Sequence, residues 1–204
     1  MKSVFQASRL LSNSEVSALE QEASRNWVKP RDSLWVSKHQ IHRKEANIIT
    51  KTGKKIIETM SLALGKEMKS HYGLEFWINI NKQQGLHCDC DETLRQKAGI
   101  MRYPVCSSVY YLKVPMQGGE LVIYEQASHE KINQIYTSNS KSESLGASIV
   151  IKPQKNQLVI FGPKMPHYVR PWETQEERIS IAANLWTDKP ADPNKPFEKL
   201  LKNL

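Results

Sequence analysis

The second half of the chain consists of short segments rich in β-branched and aromatic residues, and this pattern restricts the fold more than any other feature. Runs of short strands without helices between them favour a sandwich, a barrel or a jelly roll. The sequence therefore predicts a mainly β, α+β fold with a core over about residues 74–187. The six predicted strands are Glu75 to Ile80, Val105 to Val114, Glu120 to Tyr124, Ala147 to Lys152, Gln157 to Phe161, and Arg178 to Trp186.

The first part of the chain, about residues 1–73, has helical periodicity instead. Asn13 or Ser14 can begin a helix that runs to about Arg25, and a second apolar stripe after Thr52 predicts a helix that ends near Gly73. We expect these helices to pack on one sheet. No internal repeat or linker divides residues 1–204, so one domain is expected, with a proline-containing tail over 188–204.

Composition excludes several classes of protein. With 39% hydrophobic residues, the 204-residue chain can bury a core, which excludes wholesale disorder, collagen and coiled coil. No apolar run is long enough to span a membrane, and no signal peptide is recognisable. The three cysteines are few and odd in number, which argues against a disulfide framework and for a reducing compartment. We therefore expect a cytoplasmic protein.

Positive charge is concentrated in one segment. The net charge is +8, and residues 26–55 contain eight Lys and Arg against two acidic residues. Such a segment could attract nucleic acid. A solvated basic face is the favoured interpretation, so the sequence supports a nucleic-acid partner only weakly.

The segment from Leu86 to Glu92 has the clearest chemical character. If it is extended, alternation places His87 and Asp89 on one face and Cys88 and Cys90 on the other. A further histidine, His167, follows a Gly-Pro turn far along the chain. Two imidazoles and one carboxylate form a facial triad, which holds Fe(II) and leaves positions open for other ligands.

A guanidinium group follows eleven residues after the distal histidine. Alternation in the last predicted strand places Arg178 and Ser180 on one face. Arginine can grip a carboxylate through two parallel hydrogen bonds, and a neighbouring hydroxyl can add another. The sequence thus contains a candidate metal site and a candidate carboxylate site.

These elements resemble the Fe(II)/2-oxoglutarate-dependent dioxygenases, and within them the prolyl-4-hydroxylase-like branch. The likeness extends over about Leu74 to Trp186. Its elements occur in the family's order: His87-x-Asp89, Tyr111-Leu112, Gly118-Gly119-Glu120-Leu121, His167, and Arg178-x-Ser180.

The resemblance implies a double-stranded β-helix, or jelly roll, and a role for each motif residue. His87, Asp89 and His167 would bind iron, and Arg178 would bind the far carboxylate of 2-oxoglutarate, helped by Ser180 and Tyr111. The implied cofactors are Fe(II), 2-oxoglutarate as cosubstrate and O₂, with ascorbate as an optional addition. The implied reaction couples decarboxylation of 2-oxoglutarate to hydroxylation of a C–H bond.

The substrate stays open at this point. The branch favours a peptide or protein side chain such as proline, but the same fold also acts on small metabolites, amino acids and nucleic acid. A catalytically inactive binding module is a weaker alternative, and so is a zinc hydrolase that uses His87, Asp89 and His167 around an activated water. Cys88 and Cys90, which flank Asp89, are soft donors that could recruit zinc.

Other residues near these motifs have less definite roles. Trp77, Asn79 and Trp186 lie on flanking strands, and for the aromatic residues we favour core packing over pocket lining. Asp91 lies on the face of Asp89 and could support it or face a substrate. Residues 126–146 are interpreted as a long inserted loop.

Overall fold

Two antiparallel β-sheets form the centre of the protein. The computed structural model describes residues 4–26, 34–41, 47–65, 73–125, 146–173 and 175–191. The strands are β1 (Val4–Ser8), β2 (Leu34–Ser37), β3 (Gly73–Ile80), β4 (Cys106–Lys113), β5 (Leu121–Tyr124), β6 (Ser148–Ile151), β7 (Gln157–Phe161), β8 (His167–Val169) and β9 (Ile179–Trp186). The helices are α1 (Asn13–Asn26), α2 (Lys38–Ile41), α3 (Ile48–Leu64) and α4 (Glu92–Ala98).

The strands form a six-stranded and a three-stranded sheet. The large sheet has the order β1-β7-β4-β9-β3-β2, and the small sheet has the order β6-β5-β8. One apolar cluster joins them, because Tyr111 and Phe161 of the large sheet pack with Leu121 and Ile123 of the small sheet. The interior of this jelly roll therefore lies between the two sheets, as the sequence predicts.

The other face of the large sheet packs on the helices. Phe76 and Leu185 point to this face, where they join a buried cluster with Leu19 of α1 and Ile56 of α3. Gly53 permits a close approach, because a Cβ atom there would lie 2.9 Å from Cζ of Phe76. The expected packing of the N-terminal helices on one sheet is confirmed.

The N-terminal part differs in detail from its helical prediction. It contributes β1 and β2, which form the two edges of the large sheet. Helix α3 ends at Leu64, where Gly65 takes a left-handed conformation (φ 64°), so the predicted stop at Gly73 is wrong. Gly73 instead begins β3, and its missing side chain leaves room for Trp35, since a Cβ atom would lie 2.4 Å from the indole.

Some predictions fall outside the described residues. These are most of the inserted loop, at 126–145, the tail at 192–204, and parts of the basic segment at 27–33 and 42–46. Within the described ranges, no helix is long and apolar enough to cross a membrane.

Candidate active site

Two histidines meet where the chain before α4 pairs with β8. The backbone N–H of His87 donates to the carbonyl of His167 (3.0 Å), and that of His167 donates to the carbonyl of His87 (2.8 Å). This isolated bridge is the only β-pairing within the segment 87–91, which is otherwise not part of a strand. The bridge brings together two residues that lie 80 positions apart, with ring centroids 4.3 Å from each other.

Asp89 completes a cluster of three possible metal ligands. One ligand atom from each of His87, Asp89 and His167 lies within 4.8 Å of the other two. The Nε2 atoms of His87 and His167 lie 3.9 and 3.8 Å from the Asp89 carboxylate oxygens. The geometry thus places two nitrogens and one carboxylate around a single point.

Backbone carbonyls orient both imidazoles. Nδ1 of His87 lies 2.8 Å from the carbonyl of Gly85, and Nδ1 of His167 lies 3.0 Å from that of Met165. A ring that donates from Nδ1 presents Nε2 as its free ligand atom. Both rings are therefore held with Nε2 directed at the Asp89 carboxylate.

Burial keeps the distal histidine uncharged. His167 is 4% exposed, and this burial, together with the nearby His87, lowers its pKa to about 4. A neutral imidazole can bind a metal without first losing a proton at neutral pH. The chemical state of the cluster therefore suits metal binding.

The cysteines beside Asp89 do not belong to the cluster. Among the described residues, the three-ligand group contains only the two histidines and the aspartate. Burial raises the pKa of the Cys88 thiol to about 12, which disfavours the thiolate form that a metal ligand needs. The donor set is then two imidazoles and one carboxylate, which fits Fe(II) with positions left open.

Arg178 lies buried between two aromatic rings. Its guanidinium carbon is 5.5 Å from the ring centre of Tyr111 and 5.4 Å from that of Trp172. One terminal nitrogen donates to the hydroxyl of Ser180 (2.9 Å). Among the described residues, the other terminal nitrogen and Nε are buried and make no hydrogen bond.

The unpartnered donors around Arg178 form a pocket for an anion. The hydroxyl of Tyr111 is also buried without a partner among the described residues. Burial raises the pKa of this phenol to about 12, so the hydroxyl can donate at neutral pH. A buried guanidinium with free donors needs a carboxylate or similar group. These residues therefore fit the far carboxylate of 2-oxoglutarate.

Two consecutive glycines bring the chain close to this arginine. At Gly119 (φ 71°) a Cβ atom would lie 3.2 Å from Cδ of Arg178, and at Gly118 (φ 76°) it would lie 2.5 Å from the carbonyl of Pro171. Only glycine adopts this conformation without strain and fits this space. The Gly-Gly pair in the sequence thus supports the pocket wall, a role that sequence reasoning did not assign.

Asp91 has a structural role. It is 2% exposed, and its carboxylate accepts from the backbone N–H of Leu94 at the start of α4 and pairs with Arg102. The same carboxylate accepts from the N–H of Ala191 (2.8 Å) after β9. It therefore fixes the segment that carries Asp89 to two distant parts of the chain.

A large cleft opens beside the metal cluster. Its volume is about 1750 Å³, and its walls include His87 and Asp89. Trp77 and Asn79 also line the cleft, so the preference for core packing is wrong for Trp77. Trp186 is 2% exposed and donates from its indole N–H to Glu75 (3.1 Å), which agrees with packing.

Tyr110 points away from this interior. Its hydroxyl donates to the side chain of Asn156 (3.0 Å) on the helix side of the sheet. This separates it from Tyr111, as strand alternation predicts.

A family model describing 2OG-Fe(II) oxygenases matches residues 75–184, which is more than half of the chain. The chain belongs to the 2OG-Fe(II) oxygenase family. Members of this family are enzymes that use Fe(II) and 2-oxoglutarate, in agreement with the resemblance noted from the motifs. No curated protein has a sequence that matches this chain.

Solved structures share the fold of this 2OG-Fe(II) oxygenase at low sequence identity. A Pseudomonas putida prolyl-4-hydroxylase matches with a TM-score of 0.59 and 18% identity, covering 94% of this chain and 88% of the other. SnoN, an α-ketoglutarate-dependent epimerase of nogalamycin biosynthesis, matches with 0.61 and 15%, covering 96% and 87%. A collagen prolyl hydroxylase of Paramecium bursaria Chlorella virus-1 matches with 0.53 and 15%, covering 92% and 91%.

Proposed function

We propose that this 2OG-Fe(II) oxygenase hydroxylates a C–H bond in a peptide or protein side chain such as proline. One observation carries the assignment of the site: a cluster of His87, Asp89 and His167 shares the interior of the jelly roll with a buried arginine that has free donors. Neither a zinc hydrolase nor a binding module gives that arginine a partner.

The chain's residues have distinct roles in this proposal. His87, Asp89 and His167 hold Fe(II), and the carbonyls of Gly85 and Met165 keep the imidazoles in the orientation that presents Nε2. When bound, Fe(II) together with 2-oxoglutarate and O₂ supplies the oxidising chemistry, in which 2-oxoglutarate is converted to succinate and CO₂.

Arg178 and its neighbours hold the cosubstrate. The guanidinium group supplies charge and two free donor atoms, and Ser180 fixes its orientation by accepting a hydrogen bond. Tyr111 contributes a protonated hydroxyl. The stacking of Arg178 on Tyr111 and Trp172 excludes water from the ion pair, which strengthens it.

The cleft supports a substrate larger than a single amino acid. Its volume of about 1750 Å³ exceeds the roughly 300–1,000 Å³ of usual small-molecule pockets. Half-buried Trp77 offers an aromatic surface on which an apolar ring such as that of proline can pack. The names of two similar structures, both prolyl hydroxylases, agree with this choice.

An anaerobic absorption titration tests the cofactor roles. Fe(II) is added to the apo-protein and then 2-oxoglutarate, and the expected result is a weak visible charge-transfer band from the chelated 2-oxo acid. The His87→Ala protein is the control and should give no band. Absence of the band in the wild-type protein, although iron binds, would contradict the dioxygenase assignment and favour a zinc or binding-module role.

Succinate release tests the substrate class. Fe(II)-loaded protein is incubated with O₂ and 2-oxoglutarate, and succinate is measured with proline-containing peptides, free amino acids, small metabolites and oligonucleotides. We expect stimulation by the peptides, with a mass increase of one oxygen atom in the product. Stimulation only by a small metabolite or by nucleic acid would overturn the peptide assignment while leaving the reaction class intact.

A further inference from the structure

Buried polar atoms without partners occur in two groups on the inner face of the large sheet. The first group is Arg178 with Tyr111, which 2-oxoglutarate would satisfy in the proposed function. The second group is the hydroxyl of Ser107 and Oδ1 of Asn184, and neither has a hydrogen-bond partner in the described part of the chain. Ser107 is 1% exposed and Asn184 is 2% exposed.

The strand register places these two side chains side by side. Ser107 of β4 is directly opposite Asn184 of β9, so their Cβ atoms lie about 4.5–5.5 Å apart. On the other side of β9, Glu75 of β3 is opposite Asn184, and Glu75 and Asn184 line the cleft. The row Glu75, Asn184, Ser107 therefore forms a polar strip that begins in the cleft.

The same row leads to the metal cluster. Phe161 of β7 is opposite Ser107, and its ring contacts that of His167 at a centroid distance of 4.7 Å. A group bound at Ser107 and Asn184 would thus lie at the edge of the cleft, on the side where Phe161 packs against His167. This is where the reacting part of a substrate has to sit.

The 2-oxoglutarate carboxylate at Arg178 cannot satisfy this second group. Asn184 lies four residues after Ser180 in β9, which is about 13 Å along the strand. The row between them contains Trp77 and Ala182, which face the same side and are less polar. The two unpartnered groups are therefore separate sites.

We infer that Ser107 and Asn184 form a substrate subsite that binds an amide group. Asn184 Oδ1 accepts a hydrogen bond from the N–H of this group, and the Ser107 hydroxyl donates to its carbonyl. Both side chains are neutral and almost completely buried, so they suit a neutral amide rather than an ion, which would need a buried countercharge. The inference rests on the proposed function and specifies how the peptide is recognised.

A matched pair of probes tests the hydrogen bond to Asn184. N-acetyl-proline N-methylamide has one N–H group, and N-acetyl-proline methyl ester has none but keeps the shape. Their dissociation constants are measured by NMR titration of the protein loaded with Fe(II) and 2-oxoglutarate without O₂. We expect the amide to bind about tenfold more tightly than the ester, as for one buried hydrogen bond.

Two variants separate the contributions of the side chains. Asn184→Ala should remove the preference for the amide and leave ester binding within about twofold. Ser107→Ala should weaken both probes by about three- to tenfold, because both contain the carbonyl, and should keep the preference. Ser108→Ala is the matched control: it removes the same hydroxyl one residue away, from a side chain that bonds to Ala183 on the opposite face (3.0 Å), and should change neither probe.

Three outcomes would overturn the inference. The first is that the wild-type protein binds both probes equally or binds neither, and the second is that the Ser107→Ala protein binds both probes as the wild type does. The third is that Asn184→Ala weakens binding of 2-oxoglutarate instead of binding of the amide probe. In each case the charge-transfer band of the wild-type protein still reports on the proposed function. Circular dichroism of each variant separates loss of the subsite from loss of the fold.

Discussion

The two faces of the large sheet are built by the same strands but differ in how their polar groups are satisfied. The face toward the helices presents Phe76, Leu185 and other apolar side chains in a continuous core. The inner face buries Ser107, Arg178 and Asn184, and each of these side chains has at least one polar atom without a partner among the described residues. The helix face therefore forms an apolar core, whereas the inner face combines apolar contacts with the small sheet and unpaired polar groups that a ligand can satisfy.

The difference has a physical origin. Burying an apolar side chain contributes roughly 25 cal/mol per Å² of area, whereas a buried unpaired polar group costs about 1–3 kcal/mol. A ligand that satisfies these groups recovers that cost. Substitutions on the inner face should thus affect binding and turnover more than stability, and substitutions on the helix face should do the reverse.

The largest expected effect on activity is at the metal cluster. His167→Ala should abolish iron-dependent succinate formation and leave the urea midpoint near that of the wild-type protein, because a site built for a ligand adds little to the apo fold. His39→Ala, in an exposed histidine of α2, is the control and should stay active. Persistent turnover in the His167 variant would show that the ligand assignment is wrong.

The helix face should show the opposite result. Phe76→Ala should lower the free energy of unfolding by about 3–5 kcal/mol, because it leaves a cavity between β3 and α3. Urea denaturation measures this change. Leu62→Ala, in a side chain that is 78% exposed, should change the same quantity by less than about 0.5 kcal/mol. The folded Phe76→Ala protein should still give the charge-transfer band with Fe(II) and 2-oxoglutarate. Loss of this band would show that the helix face also controls ligand binding, which would contradict the comparison.

Arg178→Ala sharpens the comparison within the inner face. It removes the buried charge and both free donors, so the 2-oxoglutarate KM should rise by roughly 100-fold or more. Titration of the charge-transfer band with 2-oxoglutarate measures the corresponding change in its dissociation constant. The control is Arg170→Ala, which removes an exposed arginine directly after β8 and should leave the 2-oxoglutarate KM unchanged. An unchanged 2-oxoglutarate requirement in the Arg178 variant would place the cosubstrate elsewhere.

The smallest expected effect is at the surface of the helical layer. Lys55 pairs with Glu15 (2.8 Å), and this contact lowers the pKa of Glu15 to about 2. The stabilisation is therefore present above the ordinary pKa of about 4.5 and is lost as pH falls toward about 2. Glu15→Gln should reduce the free energy of unfolding by roughly 0.2–1 kcal/mol at pH 7.

The pH series provides the check on this last prediction. The difference between the wild-type and Glu15→Gln proteins, measured by urea denaturation, should shrink between pH 5 and about pH 2. A difference that stayed constant with pH would contradict a stabilising role of the charged Glu15 carboxylate, because the contacts with Lys55 and with Ser12 both lower its pKa.

Local patterns predicted much of this molecule. Segments rich in β-branched and aromatic residues identified six of the seven strands described between Gly73 and Trp186, all except β8. Alternation separated Tyr110 from Tyr111, because side chains along a strand point to opposite faces. The resemblance carried by His87-x-Asp89 and the distal motifs is confirmed at the level of the family. The structure also brings His87, Asp89 and His167 within 4.8 Å of one another.

Other features depended on partners that a local pattern does not contain. β1 and β2 lie in a segment with helical periodicity and become strands because they pair with β7 and β3. Trp77 belongs to a strand that reads as core, yet it lines the cleft. Alternation alone left Asp91 with two roles, to support Asp89 or to face a substrate, and its contacts with Leu94 and Arg102 give it a structural role.

The sequence by itself determined the strand-rich core, the helices beside it and the residue types capable of binding iron and a carboxylate. Only the tertiary structure decided which of these residues meet, since the bridge between His87 and His167 joins positions far apart in the chain. It also decided that Ser107 lies opposite Asn184. The physical reason is that strand register is set by long-range hydrogen bonds and packing, which period-2 alternation leaves undetermined.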